Sequence, residues 1–584
     1  MTQIRLQNVT APSGAASELG PPIPLWRARR QSARNAVEEL ASGALHVARA
    51  LLLRASRVRA DIAVLVPLLM GVGFVQATNM LHWPDINFDE GTYIGNAWAV
   101  QHHGALGFYT FSYGHPPLAW IAMSLWTWIT GLFGHIIYSI DSERTFMLVV
   151  SLVSCWLVYL LARRLRMRRA FAAGAVVLFA LSPLALYFHR LVLLDNPAIA
   201  WVLAAFVLAL SPRRRLWAFA ASGACFAAAV LSKETVFVLL PALVVAAVQN
   251  SDRRTRRYCL TLFISFFSIT LITYPLYALL KGELLPGQGH VSLVGSIVYQ
   301  LYSRDTTGSV LNPHSAGHAT AAFWLQLDPW LLVAALALSP LALARRGTRA
   351  VTVAYLLQVL MIFRAGYLPN MYVIGLLPFA ALMVAGTADG IWRNLVRGWY
   401  ILRRDRRMRR LLRAKGKWRA AGARASIALT PVWALALAAT IWLASPTWIQ
   451  SDRRAMSVQL DSSARAAESW LATHVSHNQR TLVGEDSFWI YLIEHGFSSQ
   501  PIAGGFYSPT VVSYWTLDYD PAVKHYFPQG WREFDYVVST LTMRVTAYET
   551  PNTAQALQHS RLVVSFGRGA DRIEIRTINK GMGT

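Results

Sequence analysis

DIAVLVPLLMGVGFVQATNM, residues 61–80, decides the fold. After Asp61 it holds no charged residue, and its length matches the ~20 residues that a helix needs to cross a hydrocarbon layer ~30 Å thick. Further apolar segments recur at about 116–134, 145–162, 170–188, 195–210, 216–231, 234–249, 258–280, 327–344, 350–363, 367–386 and 427–446. The composition agrees, with 54% hydrophobic residues over 584 positions and a mean hydropathy of +0.36. A chain so apolar is not a string of soluble domains. Its net charge of +25 is not a nucleic-acid face either, because the arginines sit in short clusters between the apolar runs. Cys155, Cys225 and Cys259 all fall inside apolar segments, which leaves neither a disulfide framework nor a CxxC metal site.

The basic clusters orient the segments. RRLRMRR at 163–169, RRR at 213–215, RRTRR at 253–257, RR at 345–346 and the arginine-rich run 393–424 belong on the cytoplasmic side. They alternate consistently only if 116–134 stays in the outer interface, where its tryptophans sit well, and does not cross. The expectation is an all-α polytopic bundle of about eleven spans with outer juxtamembrane helices. Residues 1–60 read as a polar start and a basic amphipathic helix on the cytoplasmic face, with no cleavable signal. Residues 61–446 form the membrane domain, and the tail 447–584 is a small soluble α/β domain. In that tail a helical stretch near 458–475 precedes strand-like TLVGED, EFDYVVST and RIEIRTI. The large loops 81–144 and 281–326 then share the outer side with the tail, in a cell membrane with the functional face toward the periplasm or exterior. Heavy use of arginine over lysine points to a GC-rich bacterial genome, and the expected location is the cell envelope.

Four stretches carry candidate chemistry. NFDEGTYIGNAW places Asp89 and Glu90 at the start of a helix, with Tyr93 and Asn96 on its side. Asp89 could equally serve as an ordinary acidic cap. YGHPPLAW holds His115 extended before a rigid helix start. YFHRLVLLDNPAIAW puts Arg190 and Asp195 in a short outer loop, where charges at membrane depth are costly unless paired or solvated. Lys233 and Glu234 in LSKETVFVLLP lie in another outer turn, free to pair with each other.

Taken in order, these segments resemble the polyprenyl-phosphate-dependent GT-C glycosyltransferases, the group of the protein O-mannosyltransferases and aminoarabinose-lipid A transferases. The resemblance rests on Asp89–Glu90, HPPL at 115–118, Arg144, Arg190 with Asp195, and Ser232–Lys233, with RAGYLPNMY at 364–372 as a weaker match because Gly366 separates Arg364 from Tyr367. It implies a GT-C fold and inverting transfer of one sugar from a polyprenyl-phosphate-sugar donor to a hydroxyl on a glycan, lipid or protein. It further implies Asp89 as base, with Glu90 and Asp195 positioning hydroxyls. Arg144, Arg190, Lys233 and Arg364 would bind the donor phosphate, and Tyr93, His115 and Tyr367 would position substrate. With several cations at hand, no metal or other cofactor is expected to be required. The rival reading is a non-enzymatic carrier or flippase of lipid-linked sugars, since intramembrane charges also mark transport paths. Carriers more often show repeated halves, and no internal repeat is visible here.

Overall fold

A computed structural model describes residues 58–105, 113–133, 138–287, 291–364, 366–402, 417–502 and 508–580. The expected polar start and basic helix at 1–60 lie outside these residues, save for the last turn. Contacts divide the chain between Val64 and Leu65, and the second unit runs from Leu65 onward. Helix α1 spans Val58–Ala77.

Each expected apolar segment is helical. Among the described residues, five helices are long and apolar enough to cross a membrane on their own: Val58–Ala77, Ser139–Arg164, Arg256–Leu280, Asn370–Val396 and Pro431–His474. A sixth candidate is the pair Ala316–Leu327 and Pro329–Ala344, bent by 101° at the break. Asp328 accounts for that bend, since it leaves the helical path and accepts the backbone N–H groups of Trp330 and Leu331 at 2.9 and 3.3 Å. Shorter apolar helices cover Arg169–Leu181, Asp195–Ala209, Leu216–Ser232, Glu234–Asn250 and Arg349–Ile362. Helix α3, Leu118–Thr130, has 13 residues, about 20 Å at 1.5 Å per residue, which is too short for a perpendicular span.

One end of the bundle gathers the basic clusters. Arg168 pairs with Asp389 at 2.9 Å, and Arg393 pairs with the same carboxylate. Asn250 donates to the carbonyls of Ala209 and Ser211 at 2.9 and 2.8 Å, and Arg346 donates to that of Gln249 at 3.3 Å. Turns far apart in sequence thus meet at a single end, as their shared charge requires. Helix α4, Ser139–Arg164, has 26 residues and so runs about 39 Å from that end to the opposite one. At the opposite end lie helix α2, Phe88–His103, and the loop 78–87 before it.

The last apolar helix runs unbroken to Ser457, past the expected boundary at 446/447, and the candidate span Pro431–His474 takes in the next helix as well. A five-stranded mixed sheet follows, in the order β2-β1-β3-β5-β4. Its strands are β1 Thr481–Val483, β2 Val511–Ser513, β3 Tyr536–Ser539, β4 Ser560–Phe566 and β5 Ile573–Ile578. β1 pairs in parallel with β2 and β3, while β5 runs antiparallel to β3 and β4. The expected helix near 458–475 appears as Ser462–His474. β2 and β4 went unread in the sequence.

Candidate active site

Helix α2 is fixed at its start by reciprocal bonds. The Asn87 side chain accepts from the Asp89 N–H at 3.0 Å, and the Asn87 N–H donates to Glu90 Oε2 at 2.8 Å. The cap is therefore Asn87. Asp89 is left free of that duty, and its carboxylate has no hydrogen-bond partner among the described residues, although its neighbours in sequence are all engaged.

Glu90 points elsewhere. It and Arg144 are both 0% exposed and form a two-pronged ion pair, Nε to Oε1 at 3.1 Å and Nη2 to Oε2 at 2.9 Å. Glu90 also accepts the Val192 N–H at 2.9 Å. Arg144 Nη1 donates to the carbonyls of Met80, Leu81 and Pro84 at 3.1, 3.2 and 3.0 Å. Arg190, 2% exposed, likewise donates to the carbonyls of Trp83, Ala455, Val75 and Thr78 at 2.8–3.3 Å. The expectation that Arg144 and Arg190 bind phosphate meets a physical obstacle, because the Arg144 donors go to Glu90 and to backbone carbonyls and both terminal nitrogens of Arg190 go to backbone, which leaves only Arg190 Nε without a partner among the described residues. Glu90, Arg144 and Arg190 tie the loop 78–87 to α2, to α4 and to the last apolar helix.

His115, Lys233 and Glu234 come together. His115 Nδ1 lies 3.1 Å from Glu234 and its Nε2 lies 3.1 Å from Lys233 Nζ. The ammonium can only donate, so Nε2 accepts, and Nδ1 carries the proton that Glu234 receives. The Tyr274 hydroxyl donates to the His115 carbonyl at 3.2 Å, holding the extended backbone before Pro116 and Pro117. Tyr93, one turn beyond Asp89, sits with its ring 6.0 Å from His115 and 5.9 Å from Lys233 Nζ. Asp195 is 6% exposed, opens its helix without making a side-chain cap, and lies within electrostatic reach of Lys233, Glu234 and His115. Its Oδ2 has no partner among the described residues. Asp195 lines a small pocket together with Gln358 and Tyr372.

The third wall is Tyr367. Arg304 stacks on its ring at 3.5 Å, and Asp89 and Lys233 both lie within electrostatic reach of its hydroxyl. Thr307 secures this arrangement: it donates twice to the Gly366 carbonyl, at 3.2 Å from its N–H and 3.1 Å from its hydroxyl, and the hydroxyl accepts from the Leu368 N–H at 3.0 Å. Gly366 adopts φ +150°, which disfavours any side chain there. Arg364 is exposed beside it. Sequence reasoning missed Arg304. The loop 281–326 was read as outer, but nothing in LYSRDTTG marks one arginine as pointing at a tyrosine sixty positions away.

The site thus brings together Asp89, Tyr93, His115, Lys233, Asp195 and Tyr367, with Glu234 and Arg304 added. Among the described residues, no three His, Cys, Asp or Glu side chains converge to hold a metal ion. A family model, dolichyl-phosphate-mannose-protein mannosyltransferase, matches residues 115–277, the stretch that carries His115, Arg144, Arg190, Asp195 and Lys233. The crystal structure of ArnT from Cupriavidus metallidurans bound to undecaprenyl phosphate superposes with a TM-score of 0.50 at 15% identity, covering 88% of this chain and 97% of that one. The chain has the GT-C fold. The resemblance carried by the ordered motifs is borne out at that level. Archaeal oligosaccharyltransferase AglB from Archaeoglobus fulgidus, in complex with an inhibitory peptide and a dolichol-phosphate, matches this GT-C chain more loosely. Its TM-score is 0.47 at 12% identity, over 87% of this chain and 74% of that one. No curated protein sequence matches the chain.

Proposed function

We propose that this chain is a membrane glycosyltransferase that moves a sugar from a polyprenyl-phosphate-sugar to an acceptor hydroxyl, with inversion at the anomeric carbon. The observation that carries the reading is the Asp89 carboxylate, unpartnered at a site that also holds Lys233 and Arg304. A free carboxylate suits a base, and nearby cations suit a departing phosphate. Asp89 takes the acceptor proton as the hydroxyl oxygen forms its bond to the anomeric carbon. The bond from that carbon to the phosphate oxygen breaks, and its electron pair leaves with the polyprenyl phosphate.

Lys233, Arg304 and the exposed Arg364 receive that negative charge. His115 orients Lys233 through its accepting Nε2, and Glu234 fixes the ring. Asp195 holds a sugar hydroxyl, while Tyr93 and Tyr367 line the place of reaction. Glu90, Arg144 and Arg190 act by setting the backbone that precedes Asp89. The donor class is supported by the undecaprenyl phosphate bound to ArnT. The gathering of basic turns at one end supports eleven spans and a catalytic face on the other, outer side of a cell membrane.

The test uses purified protein in liposomes, with undecaprenyl phosphate carrying 14C-labelled mannose or aminoarabinose and a membrane extract as acceptor source. Label leaving the lipid and appearing in acceptor, with undecaprenyl phosphate released, is the expected result. Label that crosses between leaflets while still attached to its lipid would establish the carrier reading instead.

A further inference from the structure

Helix α2 shows three faces, spaced by 100° per residue. Asp89 and Tyr93 face the site, and Glu90 faces Arg144. Phe88, Gly91, Thr92 and Trp98 form the third stripe, and it leans on the C-terminal sheet domain. Phe88 meets Tyr514 edge-on at 6.4 Å, and Trp98 meets Trp489 in the same way at 5.8 Å. Between them the Thr92 hydroxyl donates to Asp486 Oδ2 at 2.5 Å, and Asp486 is 3% exposed. Gly91 is seated so closely that a Cβ there would stand 2.1 Å from the Ser487 nitrogen and 2.4 Å from the Asp486 carbonyl carbon. Both partners are backbone and cannot swing aside.

Asp486 and Tyr514 stand just after β1 and β2, at the carboxyl ends of parallel strands. In open α/β sheets that edge is where ligands bind. Here the occupant is a helix of the same chain.

We propose that Asp486 and the Gly91 seat are positioning elements for the transfer reaction, with the C-terminal domain setting the rotation and height of α2 and thereby the place of Asp89. This rests on the reading of Asp89 as base. One turn of α2 separates the Thr92 hydroxyl from Asp89, so a slide that relieves the Gly91 contact displaces the carboxylate by a comparable amount. A base misplaced by about 1 Å loses on the order of a hundredfold in rate, while groups that bind donor elsewhere keep their contacts.

The test compares Thr92→Val, Thr92→Ser and Gly91→Ala with Asp89→Asn in the liposome turnover assay, alongside binding of undecaprenyl phosphate. Thr92→Val should lower kcat at least tenfold with KM for the donor within about twofold, and Thr92→Ser, which keeps the hydroxyl, should restore it. Gly91→Ala keeps every polar group and should also lower kcat at unchanged donor affinity. A merely structural bond would reduce the amount of folded protein and leave turnover per folded molecule alone. If Asp89→Asn is inactive while Thr92→Val and Gly91→Ala turn over like the parent, the positioning role is overturned and the base stands. Full activity in Asp89→Asn overturns the base itself. Should Thr92→Val fail to fold, Gly91→Ala decides alone, and parental kcat in it contradicts the proposal.

Discussion

Replacing Arg144 by Met should unfold the outer end of the bundle without touching any donor-binding group. The structure sets the magnitude. Arg144 offers Glu90 two bonds at 3.1 and 2.9 Å, in a setting where both side chains are 0% exposed. Removing one partner of such a pair costs about 3–5 kcal/mol, because the remaining charge is left buried. The carbonyls of Met80 and Pro84 lose their donor as well, at roughly 1 kcal/mol each when no water replaces it, while that of Leu81 keeps Arg465 Nη2 at 3.0 Å. Glu90 retains the N–H groups of Asn87 and Val192, which softens the loss. A net cost of about 5 kcal/mol is comparable to the whole stability of many domains, ~5–15 kcal/mol. The assay is thermal unfolding of detergent-solubilised protein followed by size-exclusion chromatography, with undecaprenyl phosphate binding measured on whatever remains monodisperse. Adding Glu90→Gln to Arg144→Met should recover part of the loss, since the two changes are coupled. An Arg144→Met protein as stable as its parent but unable to bind undecaprenyl phosphate would refute the reasoning and return Arg144 to the donor site.

Burial pushes the Glu485 carboxyl up to about 8 and that of Asp85, within its electrostatic reach, up to about 6. Both acids bind protons more tightly folded than unfolded, so their contribution is complete below about pH 4 and is lost as pH rises toward 8. Stability should fall by on the order of 1 kcal/mol between pH 5 and pH 8 after allowance for partial solvation. Glu485→Gln should flatten that slope in a thermal melt, and an unchanged slope would show that these groups titrate normally. For orientation, a reporter fused after residue 463 should read as exterior and one fused near residue 410 as cytoplasmic, and matching locations would contradict the topology. Cysteines placed at 114 and 132, on either side of the 13-residue helix α3, should label from the same side of the membrane. Labelling from opposite sides would mean that α3 crosses.

Periodicity and charge made the bundle legible. Each apolar segment is a helix, and the basic turns that meet around Asp389 were marked by their arginines alone. Asp89, His115, Asp195 and Lys233 were also legible, because charged or rigid residues beside apolar runs need a reason to be there. What the sequence does not disclose is direction. Arg144, Arg190 and Lys233 look alike as basic residues at helix ends, yet two of them face backbone carbonyls and one faces His115. Neither does it disclose contacts between distant stretches of chain, such as Thr92 to Asp486 or Arg304 to Tyr367. β2 is only three residues long, too short for alternation to register.

The most direct test of the account is the turnover of Asp89→Asn. Asn87 already caps the helix and the Asp89 carboxylate bonds to no described residue, so the substitution should leave the fold and undecaprenyl phosphate binding intact. Transfer from labelled lipid-phosphate-sugar should nevertheless fall by about two to four orders of magnitude, because the amide cannot take the acceptor proton. A folded, membrane-inserted Asp89→Asn protein that transfers sugar at the parental rate would contradict the account at its centre.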